Sequence, residues 1–418
     1  MRNSGILLPV ASLPSKYGIG CFDKSAYEFV DRLAQAGQSY WQILPMGPTG
    51  FGDSPYQSFS TFAGNPYFIS LDELVKKGYL QTQECQEAAQ GTDERRVQYG
   101  VLYEKRFALL RRAFGRSGIE ADTAFNAFVQ ANSSWLPDYA LFMAVKDSRN
   151  GQSYLEWEEG IRLRRPEAMV SYKNKLMDDV YFYEFLQYEF YSQWKALKSY
   201  ANKKGVRIIG DIPIYVALDS ADTWSHPELF QFDSEGKPVG VAGCPPDAFS
   251  ETGQLWGNPL YNWPVHRDSG YAWWTARIQN CYEWYDMVRI DHFRGFDEYY
   301  AIPYGDRTAE HGSWEPGPGM DLFQTLREEL GELPIIAEDL GFLTDSVRQM
   351  LKDSGFPGMK VLQFAFDSRE DSDYLPYHYD RNSVVYTGTH DNSTTYSCWD
   401  EMAKEDRAVA VRYMNSSR

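Results

Sequence analysis

The sequence contains few of the residues that build disulfide-bonded or zinc-dependent proteins. Its 418 residues include only five cysteines and six histidines. The cysteines are widely spaced without a CxxC pair, and the histidines form no HxH or HExxH pair. Scattered cysteines in odd number are not typical of a disulfide framework, and zinc sites usually draw on closely spaced ligands. We therefore expect a reducing, cytoplasmic location and no metal or other cofactor.

Positive charge and long apolar runs are also scarce. Lys and Arg total 41 against 58 Asp and Glu, which gives a formal charge of −17. A protein of this sign repels phosphate backbones and anionic lipids, so we expect neither nucleic acid nor a membrane surface as a partner. No apolar run is long enough to cross a bilayer, and no GxxxxGK[ST] or GxGxxG loop is present to bind phosphates. The oligomeric state cannot be read from these features.

Short apolar segments that end in Gly, Pro or a charged residue recur along the chain, separated by helical patterns or long loops. This alternation is typical of parallel βαβ units. It predicts seven strands, at residues 4–10, 40–44, 206–216, 287–293, 334–340, 359–366 and 383–389. Aromatic residues make up 16% of the chain, an excess that fits either a large core or a groove that stacks on a ligand.

The length and the strand pattern predict one large α/β fold, a (β/α)8 TIM barrel with inserted helical and loop subdomains. Residues 1–64, 181–216 and 287–418 would form the barrel, and residues 65–180 would form an inserted helical subdomain. Residues 217–286 show no clear periodicity and are interpreted as an inserted lid or substrate loop. Because only seven strands are found, we expect the C-terminal strand to be missing and the last part of the barrel to be truncated.

The segment VRIDHFRGF begins like a buried strand and yet carries several charges. Alternate residues of a strand share a face, so Arg289 and Asp291 point to one side, and His292 points to the other unless the strand ends earlier. In a barrel such a charged pair is best tolerated at the C-terminal mouth, where the catalytic groups of this fold lie. The alternative for Arg289 and Asp291 is a plain ion pair that closes the top of the barrel.

Three further acids stand at predicted strand ends: Asp211, Glu338 and Asp391. Acids that converge on one rim repel one another, a cost that function would justify. Retaining glycoside chemistry requires a carboxyl pair roughly 5 to 5.5 Å apart, one member attacking the anomeric carbon and the other protonating the leaving oxygen. A metal-dependent barrel hydrolase is the rival interpretation, since acid clusters can also hold a metal.

The two roles need different pKa values. We expect Arg289 to keep Asp291 ionised as the nucleophile, and burial beside other carboxylates to keep Glu338 protonated as the general acid. Asp391 would hold sugar hydroxyls and help to keep Glu338 protonated. His390, next to Asp391, would donate a hydrogen bond to a substrate hydroxyl.

Several long stretches resemble the 4-α-glucanotransferases, or amylomaltases, which form glycoside hydrolase family 77 in the α-amylase clan. They are GFGDSPYQSFSTFAGNPY, GDIPIYVALDSADTW, PPDAFSETGQLWGNPLYNW, VRIDHFRGF, IIAEDLGFLTDSVRQML, GFPGMKVLQFAF and GTHDN. The resemblance spans nearly the whole chain. It implies transfer of α-1,4-glucan segments between a malto-oligosaccharide donor and an acceptor through a covalent glucosyl enzyme, which the acceptor's 4-hydroxyl resolves instead of water.

The resemblance also implies a role for individual residues. Asp291 matches the nucleophile, Glu338 the acid/base and Asp391 the stabiliser of the transition state. The polar shell around the sugar in the cleavage site would be Arg289, His390 and Asp211, and the glucan contacts would be Tyr56, Asp247, Gln254 and Trp256.

Two alternatives to a transferase stay open. An α-amylase-type hydrolase would use the same three carboxylates, so the catalytic set does not separate transfer from hydrolysis. Members of the family continue beyond the position that corresponds to residue 418, so an inactive glucan-binding fragment is the second alternative.

Overall fold

Parallel strands joined by helices form the body of the protein, for which a computed structural model describes residues 2–50, 52–93, 95–246, 250–341, 343–369 and 371–415. The strands within these ranges are β1 Gly5–Leu7, β2 Tyr40–Gln42, β3 Arg207–Ile212, β4 Gly240–Cys244, β5 Gln254–Pro259, β6 Met287–Ile290, β7 Glu298–Pro303, β8 Ser313–Pro316, β9 Ile335–Ala337, β10 Gly358–Val361 and β11 Ser383–Tyr386.

The α-helices are α1 Lys24–Gln35, α2 Leu71–Lys76, α3 Thr82–Ala88, α4 Tyr99–Ser117, α5 Thr123–Ala131, α6 Leu136–Ser148, α7 Glu159–Arg162, α8 Pro166–Lys175, α9 Met177–Lys203, α10 Ala221–Ser225, α11 Trp263–Asp268, α12 Ala272–Trp284, α13 Met320–Leu330, α14 Asp345–Ser354, α15 Thr395–Glu401 and α16 Lys404–Tyr413. Short 3-10 turns occur at Val10–Ser12, Pro66–Phe68, Ile119–Ala121, Tyr154–Glu156, Pro227–Leu229, Phe293–Phe296, Leu362–Phe364 and Pro376–His378. Among the described residues, no helix has the length and apolar character that a membrane span needs.

All seven predicted strands are confirmed, each shorter than predicted. Five of them form a parallel sheet in the order β1-β2-β3-β6-β9, and β10 pairs in parallel with β11. The amide of Ala337 in β9 donates to the carbonyl of Pro357, just before β10, at 3.0 Å, and this hydrogen bond links the two ladders. The seven strands therefore follow one another in the order in which the chain makes them.

The strands curve around a shared interior. The Tyr386 hydroxyl of β11 donates to the Gln42 amide oxygen of β2 at 2.7 Å, across the space between two strands that are not neighbours in the ladder. Ile209, Ile336 and Met359 pack together inside, while Trp41 on the outer face packs edge-on against Phe29 of α1. Strands that are buried on both faces in this way are typical of parallel α/β sheets.

Helices α2 through α8 lie within the predicted insertion 65–180, and α4, α5, α6 and α8 pack on the long helix α9. The Gln187 side chain accepts from the amide of Gly64 at 2.7 Å and donates to its carbonyl at 2.9 Å. Glu189, fully buried, lies 2.7 Å from the ammonium of Lys77. Helix α9 thus contacts both Gly64, just before the predicted insertion, and Lys77 within it, and the division into a barrel and an insertion stays a prediction.

The expectation of an irregular segment at 217–286 is wrong for much of its length. Strands β4 and β5 join β7 and β8 in an antiparallel sheet of order β5-β4-β7-β8, and α12 is a regular helix of 13 residues. The signal in the sequence was the spacing of Trp274, Ile278 and Cys281, which share the buried face of α12.

The Lys77–Glu189 pair provides a test of how the insertion is attached. Lys77→Met would leave a carboxylate buried without its cation, and we expect the free energy of unfolding to fall by about 3 kcal/mol. Lys76→Met is the matched control, because Lys76 pairs with Glu73 on the exposed surface and should cost less than about 1 kcal/mol. Urea unfolding followed by tryptophan fluorescence measures both changes. Equal effects of the two substitutions would contradict the assignment.

Candidate active site

The carboxyl ends of β3, β6 and β9 bring charged residues from three strands to one place. The ladder sets Asp211 level with Arg289, and the amide of Glu338 donates to the carbonyl of Ile290 at 3.0 Å. Asp291 follows Ile290, so Asp291 and Glu338 leave neighbouring strands side by side. Neighbouring strands lie about 4.8 Å apart, which makes these two acids adjacent members of the site.

The guanidinium of Arg289 is buried and holds this group together. Its Nη1 donates to both carboxylate oxygens of Asp211 at 2.8 and 2.9 Å, and its Nη2 lies 2.9 Å from Oδ1 of Asp291. The Nε of Arg289 donates to the sulfur of Met359 at 3.3 Å. The contact expected between Arg289 and Asp291 is therefore confirmed, but Asp211, which is fully buried, is the second partner of the same cation.

Tyr56 connects the loop after β2 to this cluster. Its hydroxyl donates to Oδ2 of Asp211 at 2.7 Å and also lies 2.7 Å from Nε2 of His390, whose ring stacks on the Tyr56 ring. Since the hydroxyl proton points to Asp211, both contacts are satisfied when Nε2 of His390 carries a proton and donates it to the Tyr56 oxygen. Nε2 also lies 3.4 Å from Oδ1 of Asp391, and Nδ1 is buried without a hydrogen-bond partner. Donation from His390 to a substrate hydroxyl stays a prediction.

Glu338 is fixed by two backbone amides. The amide of His292 donates to Oε2 at 2.7 Å and the amide of Leu340 donates to Oε1 at 2.8 Å. Burial raises the pKa of Glu338 above its ordinary value, against the opposing effects of the Arg289 charge and of these two amides. The direction of the pKa shift expected for Glu338 is confirmed.

The pKa of Asp291 moves in the opposite direction to the one expected. Burial in the barrel mouth raises it to about 7, although Arg289 opposes the shift, and the negative charges of Glu338 and Asp211 add to it. Arg289 was expected to favour the ionised form of Asp291, and it does lower this pKa. The net shift is nevertheless upward, because the single guanidinium is shared with Asp211 and only partly compensates for the loss of solvation.

Asp391 lies in the loop after β11 and is more exposed than the other acids, with 67% of its side chain accessible. Its amide donates to Oγ1 of Thr389 at 3.3 Å. The charge of Arg289 lowers the pKa of Glu338 and that of Asp339 raises it, while the expected contribution of Asp391 stays a prediction. Asp339, which the sequence reading missed, is buried and accepts from the amide of Met359 at 2.6 Å.

Of the residues expected to contact glucan from the lid stretch, Gln254 and Trp256 lie on β5. The indole of Trp256 donates to the side-chain oxygen of Gln254 at 3.0 Å, and its ring meets the His292 ring edge-on at 4.8 Å. Asp247 lies outside the described residues. Strand β6 ends at Ile290, and His292 has a φ of 54°. The alternation of side chains along a strand therefore does not determine where the His292 ring points, and the ring packs against Trp256.

His292 is held neutral at this position. Burial, with the charge of Arg294 added, lowers the pKa of His292 to about 3. Its Nε2 is buried without a hydrogen-bond partner. The described residues contain no group of three or more His, Cys, Asp or Glu side chains that could hold a metal ion. The chemistry that these groups can carry out by themselves is nucleophilic attack by one carboxylate and proton transfer by another.

Comparisons with known proteins agree on one family. A family model described as 4-alpha-glucanotransferase matches residues 8–418. The 4-alpha-glucanotransferase of Clostridium butyricum is 50% identical over 407 residues, which cover 97% of this chain and 83% of that protein. The enzyme of Streptococcus pneumoniae serotype 4 is 48% identical over 417 residues, which cover 99% of this chain and 83% of that protein.

Solved structures give the same result and confirm the predicted fold class. The amylomaltase of Streptococcus agalactiae in complex with acarbose superposes with a TM-score of 0.96 at 44% identity, covering 99% of this chain and 84% of that one. The amylomaltase of Corynebacterium glutamicum has a TM-score of 0.77 at 21% identity, covering 98% and 59% of the two chains. The second likeness shows the fold alone.

The raised pKa of Asp291 predicts how stability depends on pH. A carboxyl that titrates near 7 when folded and at about 3.9 when unfolded binds its proton better in the folded state. Folding stability is therefore lost as the pH rises from about 4 to about 7. Asp291→Asn does not undergo this loss, so above pH 7 its free energy of unfolding should exceed that of the wild type by about 1 kcal/mol. The value is kept this small because part of the Asp291 side chain is exposed to solvent.

Thermal unfolding of both proteins between pH 5 and pH 8 measures this margin, which should widen as the pH rises. Asp400→Asn, which neutralises an exposed acid, is the control for the change in net charge. A margin that narrows with rising pH would show that folding makes Asp291 more acidic.

Proposed function

Because the chain belongs to the 4-alpha-glucanotransferase family, glycoside hydrolase family 77, we propose that Asp291, Glu338 and Asp391 catalyse transfer of α-1,4-glucan segments between malto-oligosaccharides. The observation that carries the assignment is the side-by-side exit of Asp291 and Glu338 from β6 and β9, with Arg289 held against Asp291. An adjacent pair of carboxyl groups is what a retaining mechanism requires. The proposed place of action is the cytoplasm, in keeping with five free cysteines.

In the first step the Asp291 carboxylate attacks the anomeric carbon of the donor glucan. The glycosidic bond breaks, and Glu338 gives its proton to the departing 4-oxygen, which leaves with the reducing-end part of the donor. Arg289 lies 2.9 Å from the attacking carboxylate and favours its ionised form. The product of this step is a glucosyl ester on Asp291 and an ionised Glu338.

In the second step the 4-hydroxyl of an acceptor glucan replaces the leaving group. Glu338 takes the hydroxyl proton as the oxygen attacks the anomeric carbon, and the ester bond to Asp291 breaks. The two amides that grip Glu338 favour its ionised form between the steps, while burial favours its protonated form. These opposed influences suit a group that must give and take the same proton.

The remaining site residues would hold the sugar. Asp391 has an accessible carboxylate that can bind the hydroxyls of the ring in the cleavage site and stabilise its positive charge in the transition state. Tyr56, Asp211 and His390 form the wall of that site, while Gln254 and Trp256 offer an amide and an indole face to a further glucose unit. By family motif, Asp247 joins them.

Transfer instead of hydrolysis requires that water be kept from the glucosyl enzyme until an acceptor binds. We assign this task to residues 217–286, an insertion whose strand β5 brings Trp256 to His292 beside the nucleophile. Residues 65–180 form the second proposed insertion. An α-amylase-type hydrolase would use the same carboxylates without this exclusion.

Maltotriose distinguishes the two reactions. We expect the wild type to convert it into glucose together with a ladder of longer oligosaccharides, seen by anion-exchange chromatography. Asp291→Asn should reduce this rate by at least about 10⁴-fold, because the amide cannot form the ester intermediate. Maltose and glucose without longer products would identify a hydrolase, and bound but unchanged maltotriose would identify a glucan-binding fragment.

A donor with a better leaving group separates the roles of the two acids. Fluoride departs without protonation, so Glu338→Gln should form a maltosyl ester on Asp291 from α-maltosyl fluoride, with release of fluoride, nearly as fast as the wild type does. With maltotriose, the same variant should be far slower than the wild type. Intact-protein mass spectrometry measures the adduct. Asp291→Asn, matched in chemistry, should form none. An equal loss with both donors would remove Glu338 from the role of general acid.

A further inference from the structure

The loop that follows β11 carries His390 and Asp391 and is held at both ends by one residue, Gln363, through its backbone amide at one end and its side chain at the other. Gln363 follows the end of β10, and its backbone amide donates to the carbonyl of Thr387 at 3.3 Å, which extends the β10–β11 ladder. Its side-chain amide donates to the carbonyl of Ser393 at 2.9 Å. Gln363 therefore binds the residue where the loop begins and the residue where it ends.

Close packing supports these hydrogen bonds. A Cβ placed on Gly388 would lie 2.7 Å from Nε2 and 3.0 Å from Cδ of Gln363. The side-chain amide thus lies directly over the loop backbone, and the glycine provides the space that it needs. A shorter side chain at 363 would not reach Ser393 from this position.

The loop has a second, internal restraint. The side-chain oxygen of Asn392 accepts from the amide of Thr389 at 2.8 Å and from its hydroxyl at 3.0 Å. This bond fixes the turn at 389–392 but does not attach the turn to the barrel. Among the described contacts of the Asp391 carboxylate, the one with a side chain is that with Nε2 of His390, at 3.4 Å. His390 belongs to the same loop, so the position of Asp391 depends on how the whole loop is attached.

We propose that Gln363 is a positioning residue for Asp391, acting by anchoring loop 387–393 to the end of β10. The proposal rests on the function assigned above, in which Asp391 stabilises the transition state. Gln363 does not itself take part in bond making or proton transfer. Loss of the Gln363 anchor would raise the activation free energy of the reaction, because a catalytic group that is displaced by about 1 Å stabilises the transition state much less.

Gln363→Met keeps the length of the side chain and removes the amide donor. We expect kcat for maltotriose disproportionation to fall about 10- to 100-fold, with a smaller change in KM, because Tyr56, Gln254 and Trp256 lie outside the loop and stay in place. Gln349→Met is the matched control, since Gln349 binds Asp353 on the exposed face of α14, and it should leave both constants unchanged. A fall in melting temperature with normal kcat would show a structural role and overturn the proposal.

Gln363→Glu provides a test that does not depend on folding yield. The carboxyl group that this substitution introduces cannot donate to the Ser393 carbonyl when it is ionised, but it can donate when it is protonated. The activity of the variant relative to the wild type should therefore rise as the pH falls towards the ordinary glutamate pKa of about 4.3. A ratio that does not change with pH would contradict the donor role of the Gln363 side chain.

A double-mutant cycle separates this proposal from the assignment of Asp391. If Asp391→Asn is nearly inactive and Gln363→Met reduces its residual rate no further, the two residues act through one effect. If Asp391→Asn is nearly inactive and Gln363→Met still reduces the residual rate by its full factor, Gln363 does not act through Asp391 and the inference is wrong. If Asp391→Asn retains normal activity, the assigned function of Asp391 is wrong, and with it the basis of the inference.

Discussion

The guanidinium of Arg289 lies buried at the end of β6 and donates to carboxylates from two strands, Asp211 of β3 and Asp291 after β6. A buried cation without partners would cost many kilocalories, and so would either carboxylate. The three groups therefore tolerate burial only together. Because one positive charge faces two negative ones, Arg289 only partly offsets the loss of solvation of Asp291, and the pKa of Asp291 rises to about 7.

This shared charge also determines what surrounds the site. Asp211 is the innermost acid, and its remaining hydrogen bond comes from Tyr56, 155 positions earlier in the chain. Tyr56 in turn meets His390, 334 positions later. One hydrogen-bonded row thus joins an early loop, the middle of the barrel and the loop after β11. The site can form only when these distant segments have come together.

Strand parity and binary pattern predict the local part of this arrangement. They place Arg289 and Asp291 on one face, and they identify the seven parallel strands, because each depends on residues a few positions apart. Such reasoning does not predict the pKa of Asp291. That pKa depends on Arg289, which also binds Asp211, a residue of β3 that lies 78 positions before Arg289. The contacts of Asp339 and Gln363 with other strands and loops are not predictable for the same reason. Helix α12 was missed through its aromatic composition, although its helical spacing was present in the sequence.

The acids at the barrel mouth differ in how they are held, and this difference has a consequence for catalysis. Asp291 and Glu338 leave paired strands, so the ladder between β6 and β9 fixes their separation. Asp391 stands on a loop beyond the last described strand, where no neighbouring strand fixes it. A group that must stabilise charge in the transition state needs the same accuracy as the pair that makes and breaks bonds. On a loop that accuracy must come from side chains, and the amide of Gln363 at one end and the turn of Asn392 within are the contacts that can provide it.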